Sequence, residues 1–410
     1  MRNLVPCEHK KVSFVDLADT AWTSVLCYVL PCPNESVNGR GDTLRVSSPS
    51  VRPDELCSRR APPRLDLAPR RLGMLAVKQR GFGGREQLFT RELPRPTPKE
   101  GFVLVRVAAV SIHAGDHHML TGRPYLTRLV GLNEIPGMDF SGVVEEIGPG
   151  VANFAAGDEV FGTTDTAGGA FAEYVSAPAK NIVKKPAAVS WEVAACLPTS
   201  SMTALQALRL GSPVRAGQRV LINGASSGVG TFAVQLAKSM GAHVTGVCST
   251  QNVEMVRSLG ADVVVDYRTE SVEAAAKADS ERYDKILDLA GRYGWRGLLK
   301  PSGSLVAVAL PESECIPCVL CSIVCSPCCC CCLSPKKSHA FMQAVTPADM
   351  EELAGMVTDG KLRVMLGLQL SGIHEVPAAL ADHSETTGQG HRKGKTVISF
   401  AAKPETMTRE

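Results

Sequence analysis

The sequence predicts an α/β protein in which a β-rich region precedes a doubly wound parallel sheet. From Met74 onward, runs such as "VLVRVAAVSI", "GVVEEIGPGV", "GDEVFG" and "AFAEYVSAPA" are short, strand-like and punctuated by Gly, Pro and Asp turns. From about Trp191 to Gly303, helical stretches alternate with apolar strands, the order that builds a parallel sheet with crossover helices. At 410 residues the chain is long enough for two domains and a large core.

The segment before Met74 has neither texture. It mixes Pro, Ser and Arg and ends in "RRAPPRLDLAPRRLG", without sustained periodicity. Arg and Ser suit an organellar transit peptide, but eight acids stand among them (Glu8, Asp16, Asp19, Glu35, Asp42, Asp54, Glu55, Asp66). Residues 1–73 are therefore read as an extension, either disordered or a targeting segment. No secretory signal pattern opens the chain, and the cysteines form no secreted disulfide framework. The compartment expected is intracellular: cytoplasmic, or chloroplast or mitochondrion if the extension is a transit peptide.

Within the α/β part, "VLINGASSGVGTFAVQLAKSMGAHVTGVCST" (Val220 to Thr250) is the most informative stretch. Val220-Leu221-Ile222 suits a buried parallel strand. It enters a turn of small residues, Gly224-Ala225-Ser226-Ser227-Gly228-Val229-Gly230. Apolar residues then recur at Val229, Phe232, Ala233, Leu236, Ala237 and Met240, which gives a helix one buried face. A strand, a tight turn and a helix N-terminus gather backbone N–H groups and the helix dipole around one point, where a pyrophosphate is the natural guest. The glycine fingerprint G-x-G-x-x-G is degenerate here, its three positions being Ala225, Ser227 and Gly230. The context of strand, turn, helix and second strand (His243–Cys248) supports dinucleotide binding.

The end of that second strand bears on which dinucleotide. An acid there accepts from the ribose hydroxyls of NAD. This chain has Cys248, followed by Ser249, Thr250, Gln251 and Asn252. A carboxylate repels a 2′-phosphate, whereas hydroxyls and an amide donate to it, so NADPH is the expected cofactor. The same residues also suit the cap of a helix beginning near Asn252.

With this order of elements, the chain from about Met74 to Ala402 resembles the medium-chain dehydrogenase/reductase superfamily, and most of all its zinc-independent quinone oxidoreductase branch. The resemblance rests on the stretch above and on "SLGADVVVDY", "IPGMDFSGVVEEIGPGV", "GAFAEYV", "LPTSSMTALQAL" and "GHRKGKTVI". It implies a GroES-like β domain (74–197 and 361–403) interrupted by a Rossmann NADP-binding domain (198–360), with a Cys-rich insertion at 311–338. Carried over, Thr203, Ser226, Ser227, Gly228, Val229, Gly230, Ser249, Thr250, Asn252 and Tyr267 contact the cofactor. Leu289 and Ala290 lie near the nicotinamide, and Lys395 lies near the interdomain cleft. A homodimer is compatible with the resemblance.

Zinc-dependent members of the superfamily carry a Cys where this chain has His113, a His-Glu pair at Met138-Asp139, and a later Cys at Thr199. Catalytic zinc needs three protein ligands and an open position. Met138 is a poor ligand and Thr199 not a customary one, so no metal is expected. The four-cysteine structural lobe is missing too. Without a Lewis acid, alcohol oxidation is unsuited to the site. What remains is hydride transfer from NADPH to a quinone or another α,β-unsaturated carbonyl, with the protein aligning the reactants. Related enzymes commonly place Asn at His113 and an aromatic residue near His118, and this chain departs at both. His113 and His118 are the candidate donors to a developing oxyanion, or else packing histidines; Asp116 is expected to hold their loop. A helix would put His113 and His117 on one face for a metal, but the stretch reads as a loop. The alternatives to a quinone reductase are an enone or 2-alkenal reductase and a catalytically weak NADPH-binding regulatory protein.

The net charge of +3 is spread without a basic face, so no nucleic acid is expected as partner. Nine of the 15 cysteines lie in "CIPCVLCSIVCSPCCCCC" (Cys315 to Cys332). Cys315, Cys318, Cys321 and Cys325 have an iron–sulfur spacing, yet so dense a tract matches many spacings by chance. Residues 315–335 are uncharged and long enough to span a membrane, but Pro317 and Pro327 oppose a helix, and a span would sever the C-terminal segment from its own domain; none is expected. Palmitoylation beside Lys336-Lys337 is a further option. The leading reading is a low-complexity insertion or a gene-model error. On this reading, replacing residues 315–332 by a short Gly/Ser linker leaves NADPH affinity unchanged and improves solubility, because loop length alters closure by only about 0.6 kcal/mol per doubling. Calorimetry on the linker variant checks it, and lost cofactor binding would make the tract part of the site.

Overall fold

The all-apolar run Val220–Ile222 lies at the centre of a six-stranded parallel sheet, in a strand buried along its whole length. A computed structural model describes residues 73–308, 337–341, 343–381 and 393–400, apart from 124, 130, 279–281 and 292. The N-terminal extension before residue 73, the cysteine tract and the lysines beside it up to Lys336 lie outside the described residues. Fifteen strands are described: β1 Gly73–Gln79, β2 Leu88–Pro94, β3 Phe102–Ile112, β4 Asp139–Ile147, β5 Glu159–Thr163, β6 Tyr174–Pro178, β7 Ile182–Lys184, β8 Arg219–Asn223, β9 His243–Cys248, β10 Val263–Asp266, β11 Tyr283–Asp288, β12 Leu299–Ala307, β13 Lys337–Ala340, β14 Leu366–Ser371 and β15 Lys395–Ser399.

They form two main sheets and a small antiparallel pair, β1–β2. The first main sheet has seven strands, in the order β14-β15-β3-β4-β5-β7 with β6 beside β3. Its long strand β3 is buried on both faces, since it meets β15, β4 and β6 and encloses a core that includes Phe140, Phe171 and Leu120. The second is parallel throughout, ordered β10-β9-β8-β11-β12-β13. The chain runs outward from β8 through β9 to β10, then crosses back to β11. The strand order therefore reverses between β8 and β11, and in such sheets the crevice at the carboxyl ends beside this reversal takes the ligand.

The helices follow from capping and from apolar spacing. They are α1 Ala114–Thr121, α2 Trp191–Ala195, α3 Pro198–Arg209, α4 Gly228–Ser239, α5 Val253–Ser258, α6 Val272–Ala278 and α7 Pro347–Thr358. In α4, Ser227 Oγ accepts from Gly230 N at 3.0 Å and caps the helix, while Phe232, Ala233, Leu236 and Ala237 are buried against the sheet. Helix α3 packs beside it, and Lys285 Nζ closes the end of α3 by donating to the carbonyls of Leu208 (2.8 Å) and Leu210 (2.9 Å).

One local reading of the sequence needs correction, and one strand passes through a turn-like stretch. Residues 114–121, read as a loop, form α1; its stability comes from an N-terminal cap and the buried trio Asp116, Met119 and Leu120, so it has no apolar stripe to reveal it. Strand β12 begins at Leu299, ahead of the turn-forming residues 301–303. The "PSG" that reads as a turn is absorbed by a register shift, β12 pairing as Tyr283 with Leu299 and then Lys285 with Ser304.

Gly230 decides how closely α4 approaches the strand before it. A Cβ there would stand 2.1 Å from the carbonyl oxygen of Gly224 and 2.8 Å from the backbone of Ala225, with no flexible side chain to yield. Gly230→Ala is expected to cost about 1–3 kcal/mol in denaturant unfolding, the usual penalty for overpacking. An unfolding midpoint equal to the parent's would show that the turn can open without cost.

Candidate functional site

Three groups of residues from distant parts of the chain converge at the carboxyl ends of the parallel sheet. The first surrounds the N-terminus of α4. The N–H groups of Gly228 and Val229 precede the helical ladder, so the first turn presents donors and positive dipole to whatever lies in front of it. The seven-stranded sheet reaches this turn: Gly394 N donates to Ser226 O at 3.1 Å, and the next residue, Lys395, begins β15. Its side chain is 2% exposed and runs past the helix, so that a Cβ on Gly228 would lie 3.1 Å from its Cδ. Lys395 Nζ donates to Ser200 Oγ at 2.9 Å. On the other flank Gly224, at φ +82°, abuts Leu289 and Ala290. Thr203 is set further along α3, where its hydroxyl donates to Gln343 Oε1 at 3.2 Å.

The second group closes the end of β9. Cys248 is buried, and burial together with the neighbouring Asp266 pushes its thiol up to about 11, so it stays protonated. Ser249 and Asn252 are buried against one another, with Asn252 Nδ2 donating to Ser249 Oγ at 3.3 Å. Tyr267 N donates to Cys248 O at 3.1 Å, which places its half-exposed ring beside that strand end. The acid that β9 lacks stands on the adjacent strand, for Asp266 pairs in register with Cys248. Its carboxylate accepts from the Thr250 hydroxyl, which with the Arg268 N–H (3.0 Å) holds it below the usual carboxylate range. A dinucleotide fits this geometry: a Cβ-free helix start for the pyrophosphate, and hydroxyls at the second strand's end for the ribose.

The third group lies at the start of α1. His113 caps that helix, its Nδ1 accepting from Gly115 N at 3.1 Å, while Asp116 Oδ2 accepts from His113 N at 3.0 Å. An accepting Nδ1 carries a lone pair, so the ring proton resides on Nε2. Nε2 is 3.5 Å from Asp116 Oδ2 and 3.8 Å from Asp139 Oδ2, and has no hydrogen-bond partner among the described residues. Burial, outweighing the pull of Asp116, lowers the His113 pKa to about 4, so the ring is neutral near pH 7. Burial also raises Asp116 and Asp139, the latter opposed by Lys395 and by Thr199. His118 lies a turn further along α1, its ring 6.1 Å from that of His117. As a donor set for zinc these residues do not fit. Thr199 donates to Asp139 through both its hydroxyl (2.6 Å) and its N–H (3.1 Å), and Met138 offers only a thioether. No cluster of three metal-ligating side chains occurs among the described residues.

Comparison with known proteins agrees with this architecture. The family described as "Alcohol dehydrogenase GroES-like domain" matches residues 99–187, and that described as "Zinc-binding dehydrogenase" matches residues 228–324. The chain is 32% identical over 340 residues to the chloroplastic quinone-oxidoreductase QR1 of Triphysaria versicolor, which covers 79% of this chain and 98% of that protein. The chain belongs to the medium-chain dehydrogenase/reductase superfamily, in its quinone oxidoreductase-like branch. This oxidoreductase is also 38% identical over 354 residues to the mitochondrial NAD(P)H oxidoreductase RTN4IP1 of Homo sapiens (78% of this chain, 87% of that one). It is 40% identical over 313 residues to the trans-enoyl reductase pgmF of Aspergillus terreus (73% and 86%). Among solved structures, the quinone oxidoreductase from Coxiella burnetii superposes with a TM-score of 0.70 at 28% identity, covering 80% of this chain and all of that one. It is an NAD(P)H-dependent oxidoreductase with a GroES-like domain and a Rossmann sheet. No helix among its described residues is long and apolar enough to cross a membrane.

Sequence reasoning passed over Asp139 as a participant, and Ser200, Asn223, Asp266 and Asp288 altogether. Of these, "VVVDY" and "ILDLAG" show an acid at a strand end, which was the available signal. The cap of α1 gives a measurable consequence. The folded His113 value, about 4, lies below the ordinary 6.5, so between these values the unfolded chain holds more protons. The contribution of His113 to stability is whole above pH 6.5 and is lost as pH falls toward 4. His113→Asn keeps a capping residue without a titrating ring and is expected to flatten the loss of stability between pH 6.5 and 4. Urea midpoints of both proteins across that range check it; identical slopes would contradict it.

Proposed function

We propose that this oxidoreductase carries hydride from NADPH to a quinone, or to another conjugated carbonyl, without a metal. The observation that carries the reading is the buried polar cluster beside α1, where Thr199 is committed to Asp139 and the buried Nε2–H of His113 has no hydrogen-bond partner among the described residues. Polarisation of an acceptor's oxygen then rests on hydrogen bonding, which suffices for an electrophile whose added electrons delocalise onto oxygen. When bound, NADPH supplies the hydride. Reduction of a quinone to a hydroquinone takes that hydride and one proton from solvent or a pocket group.

The chain's own residues do the placing. The start of α4 and Lys395 hold the pyrophosphate, Ser249 with Arg268 meets the 2′-phosphate, Arg268 offsetting the Asp266 carboxylate that already takes the Thr250 hydroxyl, and Leu289 and Ala290 back the nicotinamide. His113 Nε2–H faces the acceptor's oxygen, and Asp116 holds the cap that orients the ring. The likeness to a trans-enoyl reductase favours an alkenal as a second acceptor to be tried beside a quinone.

The experiment is steady-state oxidation of NADPH with a small quinone in EDTA, together with calorimetric binding of NADPH and NADH. Turnover is expected to persist in chelator. NADPH is expected to bind at least about tenfold more tightly than NADH, the worth of one well-made phosphate contact, and Cys248→Asp to reverse that order through charge repulsion. Equal affinities would remove the NADPH preference. Loss of turnover in EDTA with one zinc per chain would overturn the metal-free chemistry. Binding without turnover on quinone or alkenal would make this a binding protein.

A further inference from the structure

Asp288 ends β11 directly beside Asn223, the last residue of β8, at the place where the strand order reverses. Both side chains are buried, Asp288 at 1% exposure. Asp288 Oδ1 accepts from Asn223 Nδ2 at 2.8 Å and from Ala290 N at 3.2 Å, and Leu289 N donates back to Asn223 O at 3.1 Å. These bonds clasp the two strand ends and fix the turn at Leu289–Ala290 against Gly224. The second carboxylate oxygen, Oδ2, is buried with no hydrogen-bond partner among the described residues. A carboxylate oxygen withdrawn from water without a donor is expensive. A protein that needed only the clasp could place Asn there, whose carbonyl oxygen accepts the same two bonds.

We infer that Asp288 Oδ2 accepts a hydrogen bond from the nicotinamide half of the bound dinucleotide. The inference rests on the dinucleotide reading above. The like charge of a phosphate excludes the pyrophosphate as its partner, and the adenosine half is expected at the end of β9, one strand away. What the crevice between β8 and β11 then meets is a neutral donor on the nicotinamide side, a ribose hydroxyl or the carboxamide N–H. Asp288 is thus a cofactor-positioning group that fixes where the reactive ring stands against Leu289 and Ala290.

Calorimetry with two probes separates this role from the clasp: NADPH, which carries the nicotinamide half, and 2′,5′-ADP, which lacks it. Asp288→Asn keeps an oxygen for Asn223 and Ala290 but turns the second acceptor into a donor. It is expected to weaken NADPH about tenfold while leaving 2′,5′-ADP unchanged, the loss of a hydrogen bond to a charged group. Asn223→Ala breaks the clasp yet leaves Oδ2 in place, and is expected to keep the ratio of the two affinities at its parental value. Asp288→Asn changing neither probe, or both equally, would overturn the assignment. So would a selective loss of NADPH in Asn223→Ala, which would trace the effect to the clasp. Failure of the parent protein to bind either probe would instead remove the dinucleotide reading on which this one stands.

Discussion

A single buried lysine joins two of the three groups of the candidate site. Lys395 belongs to the seven-stranded sheet, donates to Ser200 on α3 and lies against the first residue of α4. A lysine hidden to this degree needs partners or nearby negative charge. Ser200 supplies one partner, and the charge of Lys395 opposes the burial that raises Asp116 and Asp139. The turn that opens α4 is held in the same way: Gly394, one residue earlier, donates to Ser226. Moving β15 would therefore disturb the helix start and the acids of the pocket together.

The buried polar cluster beside α1 has a donor set poorly matched to a metal. Met138 contributes no lone pair of use to a hard or borderline cation, and Thr199 turns the neighbouring acid inward with two hydrogen bonds. Burial raises both acids toward their uncharged forms, against the opposing pull of Lys395, and keeps the His113 imidazole neutral near pH 7. Such a site can orient hydrogen bonds toward an oxygen but offers no strong Lewis acid. The proposed function, with an acceptor that is already electron-poor, asks no more of it.

The features legible in the sequence were those whose cause is local. Val220–Ile222 and the small-residue turn announce a strand, a cap and a helix because composition and spacing there act over a few residues. The small residues at that turn are needed for the close approach of Gly230 to Gly224. Helix α1 was not legible, because His113 and Asp116 hold its start by side-chain caps and no apolar stripe marks it. Asp139 meets Thr199 across 60 residues of chain, and Asp266 meets Cys248 only through the register of two parallel strands. Nothing in either local stretch encodes the encounter. Asp288 sat in plain view beside the residues assigned to the nicotinamide, but its neighbour Asn223 reaches it only through the pairing of β8 with β11.

The position of β15 also has a consequence for synthesis on the ribosome. This strand, among the last described residues of the chain, lies inside its sheet, between β14 and β3. The strands from β8 to β13 are contiguous in sequence and can pair as they emerge, whereas residues Ala109–Ile112 of β3 wait without their partner until β15 has been made. Throughout that interval an apolar strand offers unpaired backbone groups to any neighbour, the condition under which nascent chains recruit chaperones or associate wrongly. The strand that delivers Lys395 is thus also the one that completes the first-made sheet, so pairing of β3 and placement of the buried lysine come in the same event.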